Sequence, residues 1–202
     1  MTKIKGKTIL VTGGANGIGK LMGESCLKEG ASKLVIWDIN KDALLSTAQE
    51  LRAKGHEVHV YQVDVSDAAD IESAAYTVLE DIGYVDILFN NAGIVVGAPF
   101  QDHTHEQIQK TIDINVGGVM HVALEFLPSM LQRRSGHIIN IASASSFLPN
   151  PKMSVYAASK WAVLGWSESL RLEMERDNTG VRITTVTPSY INTGMFDGVK
   201  AP

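Results

Sequence analysis

The chain has 202 residues, 45% hydrophobic and 20% charged, which excludes a disordered or fibrous protein and suits one domain over residues 1–202 with a sizeable core. A net charge of −4 gives no footprint for nucleic acid or for an anionic membrane. The single Cys26 cannot form an internal disulfide, no uninterrupted apolar run approaches the roughly 18 residues of a membrane span, and the opening MTKIKGKTILVTGG lacks a signal peptide's apolar stretch. Together these predict a cytoplasmic protein.

Taken in chain order, short β-rich runs alternate with helical patterns. Thr8–Thr12 (TILVT) reads as a buried strand and Lys20–Glu29 as a helix stopped by Gly30. Lys33–Asp38 is a second strand, Asp42–Lys54 a helix ended by Gly55, and Glu57–Val63 a third strand. Asp67 is placed to cap a helix over Asp67–Asp81, and Val85–Phe89 is a fourth strand. Glu106–Leu131 reads as one long helix, Gly136–Ile141 as a fifth strand, Ser154–Arg176 as another long helix and Val181–Val186 as a sixth strand. This alternation implies right-handed crossovers and an α/β fold, a parallel sheet with helices on both faces. The binding crevice then lies at the carboxyl ends of the strands.

Glycine, at 18 residues, is concentrated where that crevice begins: TGGANGIG runs from Thr12 to Gly19 between the first strand and the first helix. Glycines there let the backbone approach a phosphate, and the helix end offers free N–H groups to it. Gly14 to Lys20 also spells the start of a P-loop, but the Ser or Thr that would hold magnesium is replaced by Leu21. Asp38 closes the second strand, where an acid accepts hydrogen bonds from the adenosine ribose and repels a 2′-phosphate. No Arg or Lys stands at Asn16 or Ile39, so NAD is favoured over NADP, with NADP the alternative.

Tyr156 and Lys160 lie four apart in YAASK, on one face of a helix. The lysine's charge is expected to lower the phenol's pKa, which suits a group that exchanges a proton with an alcohol or a carbonyl.

With TGGANGIG, Asp38, Asp64-Val65, NNAG (Asn90 to Gly93), Asn115, Ser143, YAASK and the Pro188-to-Thr193 segment in order, the sequence resembles the short-chain dehydrogenases/reductases from about Lys7 to Met195. The resemblance implies a Rossmann-type doubly wound sheet of about six strands in the order 3-2-1-4-5-6. It assigns Gly13, Asn16, Gly17, Ile18 and Gly19 to the pyrophosphate turn, and Asp64 with Val65 to adenine. Asn90 becomes a brace of the central sheet, and Asn91, Ala92 and Gly93 join the cofactor site. Pro188, Ile191 and Thr193 belong to the nicotinamide side, where Ser189 replaces the family's usual glycine. Ser143, Tyr156, Lys160 and Asn115 become the catalytic set, with Tyr156 and Lys160 also touching the cofactor. Ser145 and Ser146 are competitors for the Ser143 role that spacing disfavours. The implied function is an NAD-dependent oxidoreductase moving a hydride between nicotinamide and a secondary alcohol or ketone. A non-catalytic NAD-sensing module has no need of Ser143, Tyr156 and Lys160 together.

Val95, Val96, Phe147, Leu148, Pro149, Met153 and Phe196 suggest an apolar mouth, and TGMF-G is similar to a family branch acting on retinoids, steroids and fatty alcohols, without that branch's N-terminal anchor. His103 and His105 lack a third ligand nearby, so no metal is expected. Relatives of this kind form homodimers or homotetramers. They also run longer, to a seventh strand that this chain is expected to lack, either as a truncated or partly ordered form or because its sheet ends at six strands.

Overall fold

The computed structural model describes residues 2–191. Its frame is a six-stranded parallel sheet in the order β3-β2-β1-β4-β5-β6. The strands are β1 (Thr8–Thr12), β2 (Lys33–Asp38), β3 (Val58–Gln62), β4 (Ile87–Asn90), β5 (Gly136–Ile141) and β6 (Val181–Val186). Chain order reverses direction between β1 and β4, which opens a crevice at their carboxyl ends.

All five β1 residues are buried, because both faces of the central sheet are covered. Ile9 and Val11 face one side, packing with Leu34 and Ile36 of β2 against Leu27 of helix α1 (Gly17–Lys28) and Leu51 of α2 (Lys41–Ala53). Leu10, Trp37, Leu88 and Ile138 face the other. They pack against Val78 of α3 (Ala68–Ile82), Phe126 of α5 (Val119–Gln132) and Met174 of α6 (Ser154–Arg176).

Local chemistry sets where helices start. Asn40 accepts from the Ala43 N–H and Asp67 from the Ala69 N–H, each satisfying an otherwise orphaned donor. Thr104 and Gln107 form a reciprocal capping box at the head of α4 (His105–Ile112). His103, just before it, turns its ring Nδ1 to the Pro99 carbonyl at 3.2 Å.

Helix α1 starts at Gly17, three residues before the expected Lys20, because the glycine turn runs directly into it. The expected helix over Glu106–Leu131 is two α-helices, α4 and α5, separated by a π-helical segment, Asp113–Gly118. The run His105–Gln132 is long and apolar enough on average to cross a membrane. Within it, Val122, Ala123, Phe126 and Met130 of α5 are buried against the sheet.

Candidate active site

The glycine turn is held from beneath by one hydroxyl. Thr12 Oγ1 accepts from the Asn91 and Ala92 backbone N–H groups, each at 3.0 Å, so the end of β1 and the loop after β4 move as a unit. The Asn91 side chain donates to the carbonyls of Thr12 and Gly13 at 3.0 and 3.1 Å. Gly13 has φ +61°, and a Cβ there would stand 3.0 Å from the Ala92 Cα. Gly19 has no room for a side chain either, since a Cβ would overlap the Gly13 carbonyl and the Asn91 amide. This close packing is what lets a helix end meet a phosphate. Gly19→Ala is expected to weaken NAD binding at least about tenfold, measured by calorimetry, with the helices intact by circular dichroism.

Asp38 sits at the far end of the cavity. Its carboxylate accepts from the Ala15 N–H at 3.1 Å and the Asn40 N–H at 3.0 Å, which orients it and supports its charge. Asp64 Oδ1 accepts from the Ser66 N–H and hydroxyl at 2.9 and 2.6 Å. Next to β1, Asn90 Nδ2 donates to Asn140 Oδ1 at 2.9 Å, and Asn140 donates on to Ser167 Oγ at 2.9 Å. The two asparagines are register partners on β4 and β5.

At the other end stand the serine, tyrosine and lysine. Ser143 caps a 3-10 turn (Ala144–Ser146), its Oγ accepting from the Ser145 N–H at 3.1 Å. Burial pushes the Tyr156 phenol up from its usual pKa, and a hydrogen bond with Ser143 works against that push. Lys160 is only 3% exposed; its Nζ donates to the Ile141 carbonyl at 2.8 Å and lies 5.7 Å from the Tyr156 ring centroid. Desolvation lowers its pKa from 10.5 to about 8. The expected lowering of the tyrosine's pKa by lysine is not what the site shows, because burial dominates both groups.

Asn115 lies in the π-helical segment and is fully buried. Its Oδ1 accepts from the Ile94 N–H at 2.8 Å, and its Nδ2 donates to the Ile94 carbonyl at 2.9 Å and to Ser159 Oγ at 3.0 Å. Both amide hydrogens are thus committed to the protein. A π-helical turn inside an α-helix commonly marks a functional site.

One cavity of about 630 Å³ joins the two ends. It is lined by Gly13, Asn16, Gly17 and Ile18 at the turn, and by Asp38, Asp64 and Val65 beyond it. Asn91, Ala92 and Gly93 form its floor; Ser143, Tyr156, Lys160, Pro188 and Ile191 close the opposite end. Of the expected residues, Gly19 and Asn115 stand behind this wall as packing and support, and Thr193 and Phe196 lie outside the described residues. In the expected apolar mouth, Val95 and Met153 line the cavity, whereas Val96, Phe147, Leu148 and Pro149 do not; Ile94, Asn150 and Tyr190 do. Sequence reasoning missed the supporting roles of Asn140, Ser146 and Ser159. The one available signal was a polar residue inside the otherwise apolar strand GHIINI, covered on both faces.

The short chain dehydrogenase family model matches residues 7–202. The chain belongs to the short chain dehydrogenase family. Over 194 residues it is 39% identical to Estradiol 17-beta-dehydrogenase 11 of Pongo abelii, covering 96% of this chain and 64% of that protein. It is 36% identical over 197 residues to Epidermal retinol dehydrogenase 2 of Mus musculus, covering 96% of this chain and 63% of that one. The chain thus spans about 64% of the length of the first of these curated relatives. A short chain dehydrogenase/reductase from Burkholderia phymatum, solved in complex with NAD, superposes with a TM-score of 0.93 at 34% identity, covering 98% of this chain and 70% of that one. A metagenomic short-chain oxidoreductase in complex with NADP gives 0.86 at 29% identity, covering 93% and 84%.

Proposed function

We propose that this short chain dehydrogenase transfers a hydride between a nicotinamide dinucleotide, NAD in preference to NADP, and a hydrophobic secondary alcohol or ketone. The observation that carries this reading is a single cavity with a phosphate-compatible glycine turn and Asp38 at one end and the hydrogen-bonded Ser143–Tyr156 pair beside Lys160 at the other. A module that only sensed NAD would have no use for the second end.

The residues fit such a cofactor. Gly13 and Gly17, both at positive φ and both lining the cavity, turn the loop backbone into the head of α1, which suits a pyrophosphate, and the anchored Asp38 carboxylate suits a ribose diol. When bound, the cofactor supplies the hydride chemistry. Tyr156 gives its phenol proton to the carbonyl oxygen in reduction and, as tyrosinate, takes the hydroxyl proton in oxidation. Ser143 Oγ hydrogen-bonds the same oxygen and stabilises the negative charge developing there. Lys160, held by Ile141, is the cation next to that phenol.

Ile94, Val95 and Met153 line the same cavity as Ser143 with apolar side chains, which favours an apolar substrate. The estradiol and retinol named for the relatives are both largely apolar alcohols, the first secondary at its 17-hydroxyl and the second primary. We also propose a homo-oligomer paired across α5 and α6, because Leu124 and Trp161 expose their side chains there.

The test is a nicotinamide-absorbance screen of the purified chain against alcohols and ketones of graded size, with NAD and NADP in parallel. Turnover of hydrophobic secondary alcohols with NAD is expected, and none with either cofactor would defeat the proposal. Cofactor choice has its own test. In the double variant Asp38→Ser/Ile39→Arg, the ratio of kcat/KM for NADP over NAD is expected to rise about a hundredfold, as a repelling carboxylate gives way to a cation.

A further inference from the structure

Two buried serines beside Lys160 have no part in the chemistry above, although both are completely buried. Ser146 Oγ donates to the backbone carbonyl of Lys160 at 2.8 Å. It is the last residue of the 3-10 turn that Ser143 caps, so this bond ties the Ser143 turn to the middle of α6. Ser159 Oγ donates to the Tyr156 carbonyl at 2.7 Å and accepts from Asn115 Nδ2 at 3.0 Å. The first of these is the ordinary back-bond of a helical serine. The second reaches 44 residues along the chain and fastens the π-helical segment to the same turn of α6.

The two bonds converge on one helical turn, at Lys160 and at Ser159. Lys160 Nζ is fixed by its own bond to Ile141, so its distance to the phenol depends on where that turn sits. Gly93, on the cavity floor, abuts both ends of this arrangement: a Cβ there would meet Asn115 Oδ1 at 3.2 Å and Lys160 Nζ at 3.5 Å. A small shift of the turn therefore displaces the tyrosine, the lysine and the cavity floor relative to one another.

We propose that Ser146 and Ser159 are positioning residues that lock the Tyr156–Lys160 turn of α6 to the Ser143 turn on one side and to Asn115 on the other. The lock rests on the hydride-transfer reading for its purpose, but its existence is measurable without turnover. Placement errors of about 1 Å are known to cost about a hundredfold in rate, so two short bonds at this turn bear directly on kcat.

The experiment compares Ser146→Ala, Ser159→Ala and the double variant with Ser167→Ala in the full chain. Ser167 is an equally buried serine of α6 that accepts from Asn140 and touches neither turn, and it reports what losing a structural hydroxyl does. Three quantities are read: melting temperature, kcat and KM with NAD, and the titration of Lys160 by NMR of 15N-lysine-labelled protein. For either active-site variant, kcat is expected to fall about tenfold, the worth of one buried hydrogen bond, with KM for NAD within about twofold of wild type. The Lys160 titration moves upward from about 8 by about half a unit or more, as a loosened turn admits water. Ser167→Ala lowers the melting temperature but moves neither quantity. If an alanine variant fails to fold, Ser→Cys at the same position keeps the volume, weakens the bond and shifts both quantities in the same direction. An unchanged Lys160 titration and kcat in both variants, or equal changes in Ser167→Ala, overturns the lock. A wild-type chain that turns over no alcohol defeats the hydride-transfer reading alone, and the Lys160 titration still decides the lock.

Discussion

Tyr156→Phe is expected to lower turnover by about three orders of magnitude while nucleotide affinity stays within about threefold of wild type. The estimate follows from what the substitution removes. The ring is 4% exposed and keeps its packing, so the helix and the cavity wall survive. The hydroxyl is lost, and with it the only side chain that both hydrogen-bonds Ser143 and lies beside Lys160 among the described residues. A positioned acid–base group contributes about 10²–10⁴ in rate, which brackets the expected loss. Ser143 cannot substitute, because an aliphatic hydroxyl is a far weaker acid than a phenol. The measurement is kcat with the best alcohol found in the screen, beside calorimetric NAD binding and the melting temperature. Turnover within tenfold of wild type, with binding and folding intact, would remove Tyr156 from its proposed role.

How far the sequence shows this site depends on the range over which each feature is determined. The strand bounds of β1, β5 and β6 and the bounds of α6 follow from local pattern, and the structure reproduces all four. The strand order agrees with that implied by the resemblance. The break between α4 and α5 is different. DINVGG has no helix stop of its own beyond two glycines, and the π-helical turn there coincides with the three bonds that Asn115 makes to Ile94 and Ser159. Those partners lie 21 and 44 residues away, out of reach of any local reading. The same holds for Ser146: a serine looks alike whether it faces solvent or closes a bond to Lys160. The direction of the Tyr156 pKa differs from the expectation because spacing places Lys160 on the same helix face but says nothing about burial. The expected mouth is met in part: Val95 and Met153 line the cavity, whereas Phe147 and Leu148, though apolar, are more than half exposed beside the 3-10 turn.

Burial of Lys160 carries the second large effect, on stability. Its pKa is lowered from 10.5 to about 8 by desolvation. Below about pH 8 both folded and unfolded chains hold the proton, and the folded state bears the full cost of a buried charge. Between about pH 8 and 10.5 the unfolded chain holds the proton and the folded one releases it, so the unfolded state binds more protons and stability rises with pH. The shift corresponds to about 3 kcal/mol. Lys160→Met removes the charge and keeps the bulk, at the loss of the bond to the Ile141 carbonyl, worth about 1 kcal/mol. Without cofactor, the methionine variant is therefore expected to be about 2 kcal/mol more stable than wild type at pH 7. The advantage shrinks from about pH 8 upward and has reversed by about pH 10.5. Cys26 and Tyr61, whose pKa values are pushed up to about 11 and about 12 mainly by burial, destabilise both proteins at high pH and cancel in the difference. Urea titrations of the two proteins across pH 7 to 10.5 measure that difference directly. A methionine variant less stable than wild type at pH 7 would show that the lysine is not strained by burial. The expected sign has a functional meaning: a cation kept beside the phenol at a cost of about thirtyfold in the folding equilibrium is one that packing alone would replace with an apolar side chain.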